Sequence, residues 1–308
     1  MTDIIIVGAG TAGLTAAIYA LRAGKSVLLF EGLAVGGQIV NTPDVENYPG
    51  IAHMSGFEFA SNLLEQAKSF GAELKYEPVK GIRAESGTWH VTTGSGDADG
   101  HEYEAKAVIL ATGAKNRPLG LEREQEMIGR GVSYCATCDG MFFRGKAVAV
   151  AGGGNTALED AQFLANYCSH VYLIHRRDAF RGDEKSVELL RAKENVEFVL
   201  NSNVSAILGE TKVEGVEVTD KFSGEKRVLD VSGLFIAVGQ MPANEAFAGI
   251  VTLDEKGYIA AGEDCGTGTD GIFAAGDCRT KEVRQLTTAA ADGAVAALAA
   301  CKWLDAKG

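Results

Sequence analysis

Two short glycine-rich turns, each lying between an apolar strand and a helix, constrain the fold of this chain more than any other feature. The first, Gly8–Gly13, reads Gly-Ala-Gly-Thr-Ala-Gly and follows the apolar run Ile4–Val7. The second spans 152–157, reads Gly-Gly-Gly-Asn-Thr-Ala and follows Ala147–Val150. Turns of this kind join strand to helix in a parallel, doubly wound sheet and leave the helix N-terminus open to phosphate. We therefore expect an α/β chain with two nucleotide-binding units.

Around these turns the sequence repeats one scheme of elements twice. Each turn leads into a helix and a second strand, then into short alternating strands, and finally into an apolar strand that ends in glycine. In chain order the predicted segments are helix 14–23, strand 26–30, helix 56–70, strands 79–84, 89–93 and 107–111, helix 156–167, and strands 171–174, 196–200, 213–219, 227–231 and 234–238. The polar run 93–101 is expected to be a surface loop.

A last strand, 271–275, and a helix from about 285 to 304 have no counterpart in the second copy. We expect them to return to the first domain. The prediction is two Rossmann-like, three-layer domains, the second inserted into a discontinuous first: residues 1–113 and 244–308 bind one nucleotide and 114–243 the other.

Charge and cysteine usage restrict the partners and the compartment. The 308 residues carry a formal net charge of −12, which disfavours nucleic acid or an anionic membrane as a partner. The chain passes from Met1 directly into an apolar strand, so we expect no secretory leader. Six cysteines in a chain of this length do not make a disulfide scaffold, and a reducing, cytoplasmic setting is expected.

The two turns differ in the charge that ends their second strand. Glu31 follows the first unit's second strand and can accept hydrogen bonds from ribose hydroxyls, which fits the adenosine of FAD. The second unit has a basic group there instead, made of His175, Arg176, Arg177 and Arg181. Guanidinium groups can bind a 2′-phosphate that a carboxylate would repel, so this unit is expected to select NADPH.

Further candidate residues for the first nucleotide follow the last predicted strand. Gly276-Asp277 would place a carboxylate near the ribityl chain of FAD, and Arg284 and Gln285 precede the last helix, where they could reach the flavin ring.

Cys135-Ala136-Thr137-Cys138-Asp139 lies shortly before the second glycine turn. Two cysteines at this spacing can form an easily reduced disulfide. A zinc site would need a second close pair, whereas the remaining cysteines occur singly, at Cys168, Cys265, Cys278 and Cys301. No metal site is predicted. Asp139 could protonate a leaving thiolate if a partly apolar site raises its pKa, or could serve only as a turn residue before Gly140.

Taken together, these motifs resemble the low-molecular-weight, bacterial-type thioredoxin reductases over essentially the whole chain. The matching segments, in order, are Gly8–Gly13, Gly36-Gly37-Gln38, Glu46–Gly50, Ala111-Thr112-Gly113, Cys135–Asp139, Gly152–Ala157, His175–Arg181 and Gly276-Asp277. Gly182-Asp183, directly after Arg181, is a small departure that could weaken the grip on phosphate. The larger, glutathione-reductase-like class carries its cysteines after the first turn, where this chain has none.

The resemblance implies a homodimer that passes electrons from NADPH through FAD to the disulfide of thioredoxin. It implies that Cys138 faces the flavin, that Cys135 attacks the thioredoxin disulfide and that Asp139 is the acid. The implied FAD contacts are Gly8, Gly10, Thr11, Ala12, Gly13, Glu31, Gly36, Gly37, Gln38, Asn47, Ala111, Thr112, Gly113, Gly276, Asp277, Arg284, Gln285 and Leu286. The implied NADPH contacts are Gly152, Gly154, Asn155, Thr156, His175, Arg176, Arg177 and Arg181.

A mechanical prediction follows from the domain order. The dithiol and the nicotinamide site belong to one domain, yet each must come close to the flavin of the other domain for electron transfer. We expect a hinge rotation at residues 113–117 and 240–245 that brings them to the flavin in turn.

Several alternatives remain open at the level of sequence. The chain could reduce a peroxiredoxin-like partner, oxidise small dithiols, or take its electrons from ferredoxin, although the last two have no need of the arginine group. It could also be a flavin-bound redox sensor without turnover.

Overall fold

The computed structural model describes residues 1–42, 44–94 and 100–307. The chain forms two compact units, each with its own sheet. Unit 1 comprises Met1–Lys115 and Met241–Gly308, and unit 2 comprises Asn116–Gln240. The chain thus passes between the units at 115–116 and 240–241, inside the two segments expected to act as hinges. Among the described residues, no helix is both long and apolar enough to cross a membrane.

The strands of the described residues are numbered here in chain order. They are β1 Thr2–Val7, β2 Val27–Phe30, β3 Glu73–Lys75, β4 Val79–Glu85, β5 Thr88–Thr93, β6 Glu102–Leu110, β7 Ala114–Asn116, β8 Val132–Ser133, β9 Ala147–Gly152, β10 His170–Ile174, β11 Val196–Val199, β12 Ser202–Leu208, β13 Gly215–Asp220, β14 Lys226–Leu229, β15 Gly233–Ala237, β16 Gln240–Pro242 and β17 Ile272–Ala274. The helices are α1 Thr11–Arg22, α2 Gly56–Ser69, α3 Ala136–Asp139, α4 Asn155–Leu164, α5 Glu184–Arg191 and α6 Leu286–Lys307.

The sheet of unit 1 has the order β3-β2-β1-β6-β5-β4, and β17 also pairs with β6. The pairs from β3 to β6 and the β17 pair are parallel, whereas β5 and β4 continue antiparallel. Alternate residues of β1 serve the two faces: Ile4 and Ile6 pack with α1 and α6, whereas Ile5 and Val7 pack in the second core. A strand buried on both faces explains the uninterrupted apolar run in the sequence.

Unit 2 has a parallel sheet in the order β11-β10-β9-β15-β8 and a separate antiparallel sheet, β12-β13-β14. Val148 and Val150 of β9 pack on the side that contains α4, whereas Ala149 and Ala151 pack with the antiparallel strands. The segments where the chain passes between the units, β7 and β16, pair with each other.

The predicted α/β class with parallel, Rossmann-like sheets is confirmed. Three predicted helix ends differ from the structure by three residues: α1 begins at Thr11 and not at residue 14, because the last turn residues are already helical, α4 ends at Leu164 and not at 167, and α6 ends at Lys307 and not at about 304. The prediction lacks helix α5, strand β12 and the short elements β3, β7, β8, α3 and β16. Of the predicted surface loop 93–101, residues 95–99 lie outside the described residues.

Candidate functional site

The first glycine turn, in unit 1, has the close approaches that its sequence predicts. Gly8 has a φ of +104°, and a Cβ there would lie 2.3 Å from the carbonyl oxygen of Ala111. A Cβ on Gly13 would lie 1.9 Å from the Gly8 carbonyl oxygen, so α1 can approach the sheet only with glycine at this position. These contacts bring the turn against the end of β6, where Ala111-Thr112-Gly113 were predicted to share its site.

The N-terminus of α1 is open to an anion. Gly10, its N-cap, makes no side-chain cap bond, and the first turn, which includes Thr11 and Ala12, carries no acidic residue. A Cβ on Gly10 would meet only one atom, the Gly36 carbonyl oxygen at 3.8 Å, so the backbone can be approached closely. Gly36 donates its N–H to Ala9 O at 2.7 Å, which brings Gly36-Gly37 beside the turn as predicted. This space at a helix N-terminus, where the first backbone N–H groups have no partner within the helix, fits a pyrophosphate.

Two carboxylates lie beside this turn and differ in their hydrogen bonding. Glu31 accepts the Ala9 N–H at 2.9 Å and the Leu33 N–H at 2.8 Å, so it holds the turn and keeps further lone pairs for a ribose. Asp277 lies on a 3-10 turn after β17, and its buried Oδ1 has no hydrogen-bond partner. Burial raises the pKa of Asp277, although Lys281 and Arg284 oppose this shift. An unpartnered buried oxygen beside the turn fits a ligand hydroxyl.

The remaining predicted FAD residues form two contact groups within unit 1. Gln38 donates to the carbonyl of Ala114, next to Gly113. Asn47 donates to Gln285 at 3.3 Å, although 238 positions separate them, and Leu286 begins α6 directly afterwards. Arg284 lies over the Tyr258 ring, with its guanidinium carbon 4.2 Å from the ring centre.

A buried network that the sequence did not indicate supports these segments. Asn244 is 1% exposed. It accepts from Thr112 Oγ1 at 2.7 Å and donates to the carbonyls of Gly257 and Cys278, each at 2.9 Å. Asn244 thus ties the end of β6 to the segment that carries Asp277. Nothing in its sequence surroundings distinguishes it from an ordinary turn asparagine.

The second glycine turn, in unit 2, has a similar open helix end. Gly154 is the N-cap of α4 without a side-chain cap bond, no acid lies in the first turn with Asn155 and Thr156, and a Cβ on Gly154 would meet nothing within 4 Å. Gly152 packs closely, since its Cβ would lie 2.4 Å from the Ala237 carbonyl oxygen. The Asn155 Oδ1 accepts the Asp183 N–H at 2.8 Å and so fixes the basic segment beside the turn.

The basic group divides into one buried and three exposed members. Arg176, Arg177 and Arg181 are exposed, and no ion pair joins them to a carboxylate within the described residues. His175 is only 5% exposed; its ring stacks on Phe180 and lies where a side chain on Gly153 would be. Burial lowers the pKa of His175, and the charges of the three arginines lower it further, whereas the hydrogen bond that the ring makes to the backbone of Ala179 raises it. His175 thus supports the turn from a buried position, and the three arginines remain exposed beside it.

Asp183, the departure noted in the sequence, is not paired with the arginines. Its carboxylate accepts the Ser186 N–H at 2.9 Å as the N-cap of α5. Because the Asp183 carboxylate caps the N-terminus of α5, it does not pair with the arginine group.

Cys135 and Cys138 form a disulfide. Cys135 is the N-cap of the short helix α3, and Cys138 and Asp139 both donate their backbone N–H to its carbonyl. Asp139 accepts from Ser133 Oγ at 2.6 Å through Oδ2, whereas its buried Oδ1 has no partner. Burial raises the pKa of Asp139, and the hydrogen bond from Ser133 opposes this shift.

Comparisons with known proteins agree with this arrangement. The family model described as pyridine nucleotide-disulphide oxidoreductase matches residues 2–293. The thioredoxin reductase of Mycolicibacterium smegmatis is 44% identical over 304 residues, which cover 98% of this chain and 96% of the relative.

Two solved structures cover nearly the whole chain. The thioredoxin reductase of Streptococcus pyogenes is 40% identical, covers 99% of both chains and has a TM-score of 0.92. The Lactococcus lactis thioredoxin reductase, described as the FR conformation, is 37% identical, covers 99% of this chain and 100% of the other, and has a TM-score of 0.68. The family predicted from the motifs is confirmed: the chain belongs to the thioredoxin reductases of the pyridine nucleotide-disulphide oxidoreductase family.

Proposed function

We propose that this chain carries electrons from NADPH, through FAD, to the Cys135–Cys138 disulfide and then to the disulfide of thioredoxin. The disulfide beside the half-buried acid Asp139, in the same unit as an open glycine turn with three unpaired arginines, carries this assignment. A dithiol oxidase or a ferredoxin-dependent enzyme would have no use for that arginine group. The reaction balances as NADPH plus a proton plus the thioredoxin disulfide giving NADP⁺ and the thioredoxin dithiol.

We assign FAD to unit 1 and NADPH to unit 2. The open end of α1, the partnerless Oδ1 of Asp277 and the lone pairs left on Glu31 support FAD; the open end of α4 and the arginine group support NADPH. When bound, the flavin supplies two-electron exchange between nicotinamide and disulfide. The chain's own residues hold the phosphates at the two helix N-termini and place the disulfide on α3.

We assign distinct roles to the three residues of the dithiol segment. Cys138 is the sulfur that faces the flavin, and Cys135 attacks the thioredoxin disulfide. As a disulfide is reduced, the S–S bond breaks and one sulfur leaves as a thiolate; Asp139 gives its proton to that sulfur and becomes a carboxylate. The partnerless Oδ1 supports this role, because it is the oxygen that no other group of unit 2 occupies.

A surface next to the dithiol supports a protein as the electron acceptor. Met141 and Phe142 follow the end of α3 after one intervening residue and are 48% and 43% exposed. Phe142 also lines a concavity of about 300 Å³ together with Arg130, Lys146 and Lys212. Exposed apolar side chains rimmed by charges are typical of a protein contact, so we propose that thioredoxin docks here.

The proposal includes rotation of one unit relative to the other at the paired strands β7 and β16. The two solved relatives support such freedom within the family, because they differ little in identity and coverage and yet have TM-scores of 0.92 and 0.68. A homodimer is supported by exposed apolar side chains on α1 and α6, Tyr19, Val295 and Leu298. A cytoplasmic location is supported by the unpaired thiols Cys168, Cys265, Cys278 and Cys301.

An anaerobic titration tests the relay. NADPH is expected to bleach the bound flavin, and oxidised thioredoxin to restore its colour. Cys138→Ser should still be bleached by NADPH and should pass no electrons onward, whereas Cys168→Ser, which changes a buried thiol outside the pair, should behave as the parent. Normal thioredoxin reduction by Cys138→Ser, or a purified protein that retains no flavin, would refute the proposal.

A further inference from the structure

Ser133 contacts both Cys135 and Asp139, although it is neither a cysteine nor the acid. It is the last residue of β8, is 4% exposed, and its backbone lies opposite the fully buried Phe235 of β15. Its hydroxyl oxygen is 2.6 Å from Asp139 Oδ2 and accepts the Cys135 N–H at 3.1 Å. The side chain is therefore a fixed point on the sheet that contacts both the acid and the backbone of a reactive cysteine.

We propose that Ser133 is a positioning residue of the reaction: it holds the Asp139 carboxyl by Oδ2, leaves Oδ1 as the oxygen that serves sulfur, and joins the acid to the Cys135 backbone. This inference rests on the role of Asp139 in the proposed function.

The hydroxyl can donate only one hydrogen, and the distances decide where it goes. Besides Asp139 Oδ2 at 2.6 Å, the Cys135 carbonyl lies 3.3 Å away. The shorter contact, to the Asp139 carboxyl, is the stronger bond, and ionisation of that carboxyl strengthens it further. With Oδ2 held in this way the carboxyl cannot exchange its two oxygens by rotation without losing that bond, so the proton for sulfur is carried at Oδ1.

The same bond adjusts the acid strength of Asp139. Burial favours the protonated form, whereas the Ser133 hydroxyl favours the ionised form, so the two oppose each other in setting the pKa of Asp139. The elements packed nearby carry Glu159 and Asp160 on α4 and Arg144 after α3, and Tyr134 with Glu124 lies beside the cysteine. None of these groups contributes to the pKa shift of Asp139. Burial alone would make the acid hard to deprotonate; Ser133 allows it to give up its proton.

The proton transfer itself involves only groups in this segment. The O–H bond of Asp139 breaks as an S–H bond forms on the thiolate, and the negative charge moves from sulfur to the carboxylate. That carboxylate then forms the stronger bond with Ser133. The bond strengthens in the direction in which catalysis proceeds.

The test compares Ser133→Ala with Ser133→Thr, which retains the hydroxyl, and measures thioredoxin turnover against pH at saturating NADPH. Loss of the hydroxyl raises the pKa of Asp139, so the alkaline limb of the kcat profile should move upward by about one pH unit. We expect kcat to fall about tenfold with the KM for thioredoxin unchanged, because orientation of the acid is lost and not binding. Ser133→Thr should restore both.

A double variant separates a positioning role from a structural one. In Asp139→Asn the acid no longer titrates, so adding Ser133→Ala should slow it no further. If Ser133→Ala retains too little flavin for the assay, Ser133→Val against Ser133→Thr gives the same comparison with matched shape.

Two results would overturn the inference: an unshifted pH profile with kcat within twofold of the parent, or a Ser133→Ala effect that multiplies fully with Asp139→Asn. Parent-like turnover by Asp139→Asn itself would remove the assigned acid from the proposed function and this inference with it. A Ser133 failure with an impaired Asp139→Asn would leave the proposed function intact.

Discussion

Substitution of Asp292, a buried carboxylate on α6, tests how unit 1 holds the segment that carries Asp277. Its oxygens accept from Arg279 at 2.8 Å twice, from Lys281 at 2.8 Å and from the Gly276 N–H at 3.0 Å. We predict that Asp292→Asn destabilises unit 1, because Arg279, 3% exposed, loses its buried counter-charge. Removing one partner of such a pair costs about 3–5 kcal/mol. For a unit of this size, that loss lowers Tm by roughly 10 °C.

Thermal unfolding followed by circular dichroism measures this loss, and flavin fluorescence on heating measures its effect on the cofactor. Glu263→Gln is the matched control, because Glu263 lies 3.8 Å from the same guanidinium but is fully exposed. We expect no measurable change in Tm for the control. A loss below about 1 kcal/mol in Asp292→Asn, within the range of ordinary surface substitutions, would refute the reasoning.

The same carboxylate predicts how stability depends on pH. Burial raises the pKa of Asp292, but the bonds from Arg279 and Lys281 outweigh burial and hold the pKa below its usual value. A group with a lowered pKa in the folded state stabilises the fold above its unfolded pKa, about 3.9, and loses this contribution as pH falls through the folded value. The Tm difference between parent and Asp292→Asn should therefore be full at neutral pH and narrow in acid below about pH 4.

Three further predictions concern the two nucleotide segments and the docking surface. Arg177→Gln should raise the KM for NADPH about tenfold or more by loss of a charge-assisted phosphate contact, whereas an equal rise for NADH would count against that contact. Asn244→Asp should weaken flavin retention in dialysis, because two buried carbonyls lose their donors at about 1–3 kcal/mol each; parent-like retention would contradict the role given to this network. Phe142→Ala should raise the KM for thioredoxin about tenfold at unchanged kcat, while Phe222→Ala, at an 83% exposed hairpin position, should not; equal effects would argue against the docking surface.

The parts of the fold that the sequence predicted are those specified by local patterns. Glycine turns, apolar strands and the helices that follow them depend on residues within a few positions of one another, so Ile4–Val7 and Ala147–Val150 could be read directly. Helix α5 was missed because its apolar positions are few, with only Leu190 buried. Strand β12 was missed because alternation is interrupted where its pairing register shifts between Val204 and Ala206.

The site residues that the sequence did not indicate depend on contacts between distant positions. Asn244 joins Thr112 to Cys278, and Asp292 joins Arg279 to Gly276, and no local pattern marks either residue. Adjacency in the sequence predicts that His175 acts together with the three arginines. Its burial follows from the fold of the basic segment over Gly153, which spacing alone does not show.

Both ends of unit 2 leave it at the same place. Gln240 donates its side-chain amide to Asn116 at 3.0 Å, and the Arg117 N–H bonds the Gly239 carbonyl at 3.0 Å. Because its two ends are adjacent, a short linker could replace unit 2 without stretching the remaining polypeptide. Unit 2 is therefore a continuous segment, Asn116–Gln240, that can be excised and expressed separately.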